Sequence, residues 1–366
     1  MIEVLIKKVF SSQDIDDFLT EIDFDRYFKK GDTVIIKPNF VAPRDNKTGA
    51  TTNLDLIRIV ALRLLSISAK PIIMETPGME YDVNEVFNFL GIFEFARSIN
   101  IDIYIPSKCD FKKISIPNSK VLKYVELPEM VLQSKIVNIP IMKTHVITTV
   151  TLGMKNLMGL CSNNTKRMMH IKGIHNSIID LNKVIYPTLT IIDSLNAMEG
   201  DGAVYGNLKK FNLLLASSNT IAVDKVACQI MSINENKIKY INKTELSEKI
   251  KIRGKLISEN FHLPQQGSVY HFFYRWLYLI DFLFERIFKI HFNKFLYKTG
   301  YFGTRPKINK NCTQCGVCLE VCPVDAIDIN RKRINYKSCL RCLRCYEACS
   351  ENMIRIKGFS GPQHST

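Results

Sequence analysis

Two cysteine runs near the C-terminus restrict this 366-residue chain more than any other feature. Residues 312–322 read Cys312-Thr-Gln-Cys315-Gly-Val-Cys318-Leu-Glu-Val-Cys322, and residues 339–349 read Cys339-Leu-Arg-Cys342-Leu-Arg-Cys345-Tyr-Glu-Ala-Cys349. Both are C-x2-C-x2-C-x3-C. Three thiolates at that spacing fit around one face of an iron–sulfur cube within one tight loop, and the fourth, entering a short helix, points toward a second cube. The expected cofactors are two [4Fe–4S] clusters: one on Cys312, Cys315, Cys318 and Cys349, the other on Cys339, Cys342, Cys345 and Cys322. Structural zinc uses four ligands in paired C-x2-C steps, not two triplets with an exchanged fourth. A disulfide framework belongs to short secreted chains, and the start, Met1-Ile-Glu-Val-Leu-Ile, does not read as a secretory signal.

The runs form an internal repeat offset by 27 residues, with Asp325-Ala-Ile-Asp-Ile329 falling on Asn352-Met-Ile-Arg-Ile356. Each half reads as a cysteine loop, a short helix and a short strand. Residues 305–358 resemble the bacterial two-cluster ferredoxin family, which implies a small α+β module moving single electrons. Pro323 follows the first run as usual, whereas Ser350 stands where a second proline is common.

The length accommodates a large domain beside this small one, and 46% hydrophobic residues suffice for a sizeable core. The net charge of +15 is uneven. Residues 1–245 hold 30 Lys and Arg against 26 Asp and Glu, and residues 246–366 hold 20 against 9. Such a basic third suits an acidic electron-donor or acceptor protein or an anionic membrane surface. No nucleic-acid motif accompanies it, so no nucleic acid is expected. The expected location is the cytoplasm, where thiolates stay reduced, with a peripheral place at the inner membrane face as a further option. Cys109, Cys161 and Cys228 read as buried free thiols.

Residues 1–245 alternate short apolar runs with amphipathic ones. Strands are expected at 33–36, 71–74, 101–105, 121–125, 134–139, 189–192 and 212–215. Helices are expected at 53–65, capped by Thr52 or Asn53, at 83–98 and at 220–231. This order predicts an α/β fold, a largely parallel sheet with flanking helices. Polar residues recur just after the strands: Lys37 and Asn39, Glu75, Lys143 to His145, Asp193, and Ser217 with Ser218. That edge forms the ligand crevice of open α/β sheets. The stretch from Lys143 through Lys155 to His170 is rich in Lys, Thr and Gly, which suits an anion cradle. Phosphate-loop, dinucleotide, serine-elbow and zinc-helix motifs are absent from the sequence. His145, His170, His175 and Asp193 form a weaker candidate metal set.

This segment also resembles the domain-of-unknown-function 362 family. The matching pieces are Gly31-Asp-Thr-Val-Ile-Ile-Lys-Pro-Asn39, Gly49-Ala-Thr-Thr52, Pro140-Ile-Met-Lys-Thr-His145, Val150-Thr-Leu-Gly-Met-Lys-Asn-Leu-Met-Gly159, Ile192-Asp193, Met198-Glu-Gly-Asp-Gly202 and Ala222-Val-Asp224. Ala203 stands where the family pattern has proline, and Glu75 where aspartate is usual. The resemblance implies a pocket and an attached ferredoxin module but no particular reaction.

Residues 246–304 read as a polar linker followed by an amphipathic helix. At 100° per residue, His271, Arg275, Asp281, Glu285, Arg286, Lys289 and Asn293 group on one side, with Trp276, Ile280, Leu283, Phe284, Ile287 and Ile290 opposite. Its charges are too frequent for a membrane span. Apolar packing against the large domain is expected; the alternative is peripheral membrane contact through 269–298, aided by Lys294 and Lys298. Residues 359–366 read as a disordered tail.

Together the parts suggest a ferredoxin-dependent reductase, an iron–sulfur oxidoreductase acting on an anionic or carbonyl-bearing small molecule. Lys37, Asn39, Thr51 and Lys155 would bind substrate, Lys143 or His145 would donate a proton, and Asp193 would orient that donor. Arg341 and Arg344 would favour the reduced second cluster. The alternatives are a non-catalytic electron-transfer or cluster-delivery subunit, and a non-redox enzyme with structural clusters.

Overall fold

The computed structural model describes residues 1–264, 267–289, 292, 296 and 304–357. The run Val34-Ile35-Ile36 is fully buried and belongs to β2 (Thr33–Lys37). A strand covered on both faces shows no polar alternation. Val34 and Ile36 enter one core with Leu56 and Val60, while Ile35 enters the other with Met154 and Leu157.

Around β2 the described residues build one ten-stranded sheet. Its strands are β1 (Ile2–Lys8), β2, β3 (Lys70–Ile73), β4 (Asp102–Ile103), β7 (Lys135–Asn138), β8 (Ile141–His145), β9 (Thr149–Thr151), β10 (Leu189–Glu199), β11 (Asn207–Ser217) and β12 (Ile250–Arg253); β5 (Phe111–Ser115) and β6 (Tyr124–Pro128) form a separate hairpin. The main path runs β12-β1-β11-β10-β7-β2-β3-β4, with β8 and β9 attached to β10. The block β10-β7-β2-β3-β4 is parallel, and β11 runs antiparallel to both β10 and β1.

Helices α1 (Ser12–Glu21) and α2 (Leu54–Ser66) pack with the core that holds Val34. Asn53 caps α2 by accepting from Asp55 N–H. On the other face lie α3 (Gly153–Asn156), α4 (Asn163–Lys172) and α5 (Thr220–Ile230). The helix expected at 83–98 is two helices, Val83–Phe89 and Ile92–Ser98, divided at Gly91 with φ +68°. Two further corrections concern the sheet. Lys143, Thr144 and His145 lie within β8 rather than in a loop, and β12 pairs with β1, carrying the α/β unit past residue 245 to Arg253.

The helix α6 (Gly267–Phe288) crosses α4. It packs on the large domain, but through the side opposite to the expected one. Leu277 and Asp281 are buried, while Trp276, Ile280, Leu283, Phe284 and Ile287 are exposed. Among the described residues no helix is long and apolar enough to cross a membrane. The part of the expected amphipathic segment from 290 onward, apart from 292 and 296, lies outside the described residues, as does the 359–366 tail.

The C-terminal module pairs β13 (Arg305–Ile308) with β16 (Ile354–Lys357), and β14 (Ile327–Asp328) with β15 (Arg333–Ile334). Helices α7 (Val317–Glu320) and α8 (Arg344–Glu347) follow the two cysteine loops. The 27-residue repeat reappears in the backbone. Gln314 and Arg341 have φ of 61° and 56°, Gly316 and Leu343 have 87° and 61°, and Asp325 and Asn352 have 47° and 52°.

Candidate functional site

A cavity of 820 Å³ opens where β2, β3 and β8 end. Asn39 follows β2, Glu75 follows β3, and His145 closes β8; all three line it. Lys155 of α3 and Lys166 of α4 reach it from the other side, and Tyr278, Asp281 and Glu285 of α6 form a wall.

Lys155 and Lys166 line this space and the fully buried Lys37 and Lys143 lie behind it, each held differently. Lys37 Nζ donates to Glu75 Oε2 at 2.5 Å and to the Pro38 carbonyl at 2.6 Å. Burial pulls its pKa down, against the opposing pull of Glu75. Lys143 is fully buried, and its Nζ donates to Asn39 Oδ1, Ala50 O and Ala203 O at 2.7–3.0 Å. Three acceptors match the three N–H groups of an ammonium. Burial, then Lys155, pushes its pKa well below the usual value. Lys166 Nζ fastens the Thr76 and Pro77 carbonyls, and burial brings its pKa to about 8. Lys155 also sits at about 8, lowered by burial and then by Lys166 and Lys37. Its Nζ has no hydrogen bond or ion pair to any described residue. Lys155 is therefore a cation available to an anionic ligand.

His145 is the proton-bearing neighbour. Its Nδ1 accepts from Ile147 N–H at 3.0 Å and more weakly from Thr148 N–H at 3.4 Å. That assigns the proton of the neutral ring to Nε2. Burial, then Lys155, His170 and Lys143, pushes its pKa well below the usual range. The ring is neutral at pH 7 and presents an Nε2–H donor.

Some residues expected at the site lie behind it. Lys143 braces Asn39 and has no spare N–H for a substrate. Thr51 is buried and donates to the Arg44 carbonyl. Asp193 accepts from Asn53 N–H through Oδ2 at 2.8 Å and from Leu195 N–H through Oδ1 at 3.0 Å. Its carboxylate, raised to about 6 by burial, anchors the start of α2 rather than orienting His145 or Lys143. Asn39 is both wall and network: Nδ2 donates to Asn156 Oδ1, whose own amide donates to the Lys37 carbonyl and Asn138 Oδ1. Asp224 holds the start of α3 through Gly153 N–H at 2.7 Å and Met154 N–H at 2.9 Å; burial raises its pKa to about 7.

The motif glycines fit tightly. A Cβ on Gly159 would lie 1.9 Å from Glu75 Oε1 and 2.7 Å from Lys37 Nζ. A Cβ on Gly202 would lie 2.1 Å from the Thr144 carbonyl oxygen.

The cysteine loops aim backbone donors at their sulfurs. Backbone N–H groups of Gln314, Ala326, Arg341 and Met353 donate to Cys312, Cys322, Cys339 and Cys349 sulfurs at 3.2–3.4 Å. Such donors suit thiolates on iron. Cys318 is raised by burial and by Cys312, Cys315 and Cys349, and Cys345 by burial and by Cys339, Cys342 and Cys322. Cys318 thus feels two cysteines of its own run and Cys349 of the other, and Cys345 two of its own run and Cys322 of the other. Among the described residues no three His, Cys, Asp or Glu side chains are grouped to hold a single metal ion. A cube differs, because each thiolate binds a separate iron.

Arg44, which no sequence motif marks, links the second loop to the cavity wall. Arg44 Nη1 donates to the Cys342 carbonyl at 2.6 Å and pairs with Glu347 at 2.8 Å. The same guanidinium lies 5.9 Å over the Tyr205 ring, and Tyr205 and Tyr81, with hydroxyls 3.3 Å apart, line the cavity. Arg341 is 1% exposed and pulls against the burial that raises Glu80, another lining residue. Arg344 lies 4.2 Å over Phe89. Arg44 carries no local signature, since its partners lie about 300 positions away.

The domain of unknown function (DUF362) family model matches residues 34–229, more than half of the chain and all of the sheet edge just described. The chain belongs to the DUF362 family. A 4Fe-4S dicluster domain model matches residues 306–350, so this DUF362 protein carries a ferredoxin-type iron–sulfur module. It is 25% identical over 257 residues to the "Thylakoid-associated protein sll1697" of Synechocystis sp. (strain ATCC 27184 / PCC 6803 / Kazusa), covering 65% of this chain and 78% of that one. The lactate racemase apoprotein from Thermoanaerobacterium thermosaccharolyticum matches with a TM-score of 0.42 and 15% identity over 63% of this chain. The DUF362 chain spans only 57% of that structure's length.

Proposed function

We propose that this protein is a reductase in which a two-cluster module feeds electrons into the α/β cavity, where an anionic, carbonyl-bearing small molecule is reduced. The observation that carries this reading is the seat of the second cysteine loop. Arg44 ties the Cys342 carbonyl to a guanidinium stacked over Tyr205, a cavity wall. The cluster of Cys339, Cys342, Cys345 and Cys322 is then the delivering one. Cys312, Cys315, Cys318 and Cys349 would hold the cluster that takes electrons from a donor protein, a role that fits the exposure of Cys315, Val317 and Leu319.

When reduced, two [4Fe–4S] clusters supply two single electrons, and a carbonyl needs two electrons and two protons to become an alcohol. Lys155 binds the substrate anion. His145 Nε2–H donates a hydrogen bond to the carbonyl oxygen as negative charge builds there, keeping its proton, and the two protons of the alcohol come from water in the cavity. Asn39, braced by Lys143, fixes the cavity floor. The description of the Synechocystis relative as thylakoid-associated supports a place at a membrane surface for this protein as well.

The test uses anaerobic, cluster-loaded protein, reduced and freed of excess reductant. A panel of 2-oxo acids and other carbonyl-bearing anions is added while the cluster absorbance is followed and products are analysed. At least one compound should reoxidise the clusters, with Lys155→Met and His145→Phe slowing the step by about 100-fold or more. Reoxidation only by a protein acceptor, at rates both variants leave unchanged, would replace this reading with that of an electron-transfer or cluster-delivery subunit.

A further inference from the structure

The helix α6 is mounted with its charged side toward the protein. Arg167 of α4 is buried and pairs with Asp281 at 3.0 Å and with Glu285. His170 stacks on Tyr278 with ring centroids 4.6 Å apart. On the far side, Trp276, Ile280, Leu283 and Ile287 recur at helical spacing, 53%, 37%, 45% and 67% exposed, with Phe284 beside them. Docking driven by burial of apolar area would present these side chains inward and leave the carboxylates in water. Arg275 and Arg286 are exposed along one border of the stripe, and Lys289 is exposed just past the helix end.

We propose that α6 lies in the plane of an anionic lipid bilayer, with Ile280, Leu283 and Ile287 at the acyl boundary and Arg275, Arg286 and Lys289 among the headgroups. Three observations favour lipid over a protein partner. The stripe runs along one side of a single helix from Trp276 to Ile287, which a bilayer accepts without a complementary groove. Its basic border matches anionic headgroups. Its 22 residues span about 33 Å along the helix axis, ample for an in-plane anchor, while the helix is too polar to cross a membrane. The chain's one tryptophan, Trp276, sits on this stripe and reports its environment.

The test is flotation of the full, cluster-loaded protein with phosphatidylcholine vesicles that contain or lack a quarter of phosphatidylglycerol. Binding is expected to the anionic vesicles, weakening with salt, together with quenching of Trp276 by brominated acyl chains. Leu283→Glu and Ile287→Glu change exposed positions, so iron content should hold while partitioning falls at least about tenfold. Arg275→Glu with Arg286→Glu should remove the preference for anionic vesicles. No flotation with either vesicle overturns the proposal. So does a concentration-dependent dimer that Ile287→Glu dissolves without any vesicle binding, which would assign the stripe to a second copy. Cluster reoxidation by substrate is a separate measurement, so either proposal can fail alone.

Discussion

Arg44 donates to the Cys342 carbonyl at 2.6 Å, joining two residues 298 positions apart. It ties the second cysteine loop to Tyr205, a residue of the cavity wall, through one guanidinium. Arg44→Met keeps the apolar stem and deletes the donor. Losing a charged hydrogen bond to a buried carbonyl costs about 1.5–3 kcal/mol. Glu347 is 42% exposed, so its ion pair adds little. Amide exchange across 339–349 should quicken while iron content stays constant. Unchanged exchange would mean the module is seated by other contacts.

His145 should remain a neutral ring with its proton on Nε2 well into the acid range, because burial and the nearby Lys155 oppose a second proton. Nitrogen chemical shifts of labelled histidine would show an unprotonated Nδ1 at pH 6, where a free imidazole is mostly charged. The folded pKa lies below the unfolded one, so between them the unfolded chain binds more protons. This residue's contribution therefore destabilises the fold as pH drops below about 6.5. An imidazolium signal at pH 6 would remove the neutral donor from the mechanism.

The cysteine repeat was legible because its information is local: spacing alone prescribes loops that can share ligands. The strand Thr33–Lys37 was legible because a strand buried on both faces must be apolar throughout. Other features depend on distant partners. Pro140 separates β7 from β8, and pairing with β9 and β10 turns the Lys143–His145 stretch into a strand. Asp193 resembled a catalytic orienter, but its oxygens serve backbone N–H groups at residues 53 and 195. In α6 the periodicity gives the stripe but not its direction. Arg167, 118 positions from Glu285, turns the carboxylates inward.

Lys155 should leave a signature in the pH dependence of stability. Its folded pKa of about 8, lowered by burial first, lies below the usual 10.5. Between those values the unfolded chain holds more protons, so stability rises with pH across that window. Below it, the buried ammonium weakens the fold. Lys155→Met should stabilise the protein by about 1–2 kcal/mol at pH 7, after discounting for partial exposure, and by much less at pH 10. Anaerobic urea unfolding at the two pH values measures the difference. Equal effects at both would mean that methionine acts through packing alone.

Gly159 tests whether the Lys37–Glu75 pair is as confined as it looks. The pair is 0% and 3% exposed at the side chains, and Glu75 Oε1 also accepts from Thr76 N–H. Gly159 passes so close that an added methyl would overlap Glu75 Oε1 at 1.9 Å. The obstacle is a buried carboxylate with few alternative rotamers, and moving it would strip Lys37 of its counter-charge. Breaking a buried pair costs about 3–5 kcal/mol, since one charge is left uncompensated. Gly159→Ala should lose about that much stability and distort the floor beneath Asn39, whereas Gly31→Ala, with no atom within 4 Å of its Cβ, should cost only the strain of φ +87°. The triple variant Gly159→Ala with Lys37→Met and Glu75→Leu, which removes both charges, should recover part of the loss. If it recovers nothing, the glycine is required by backbone packing and not by the ion pair.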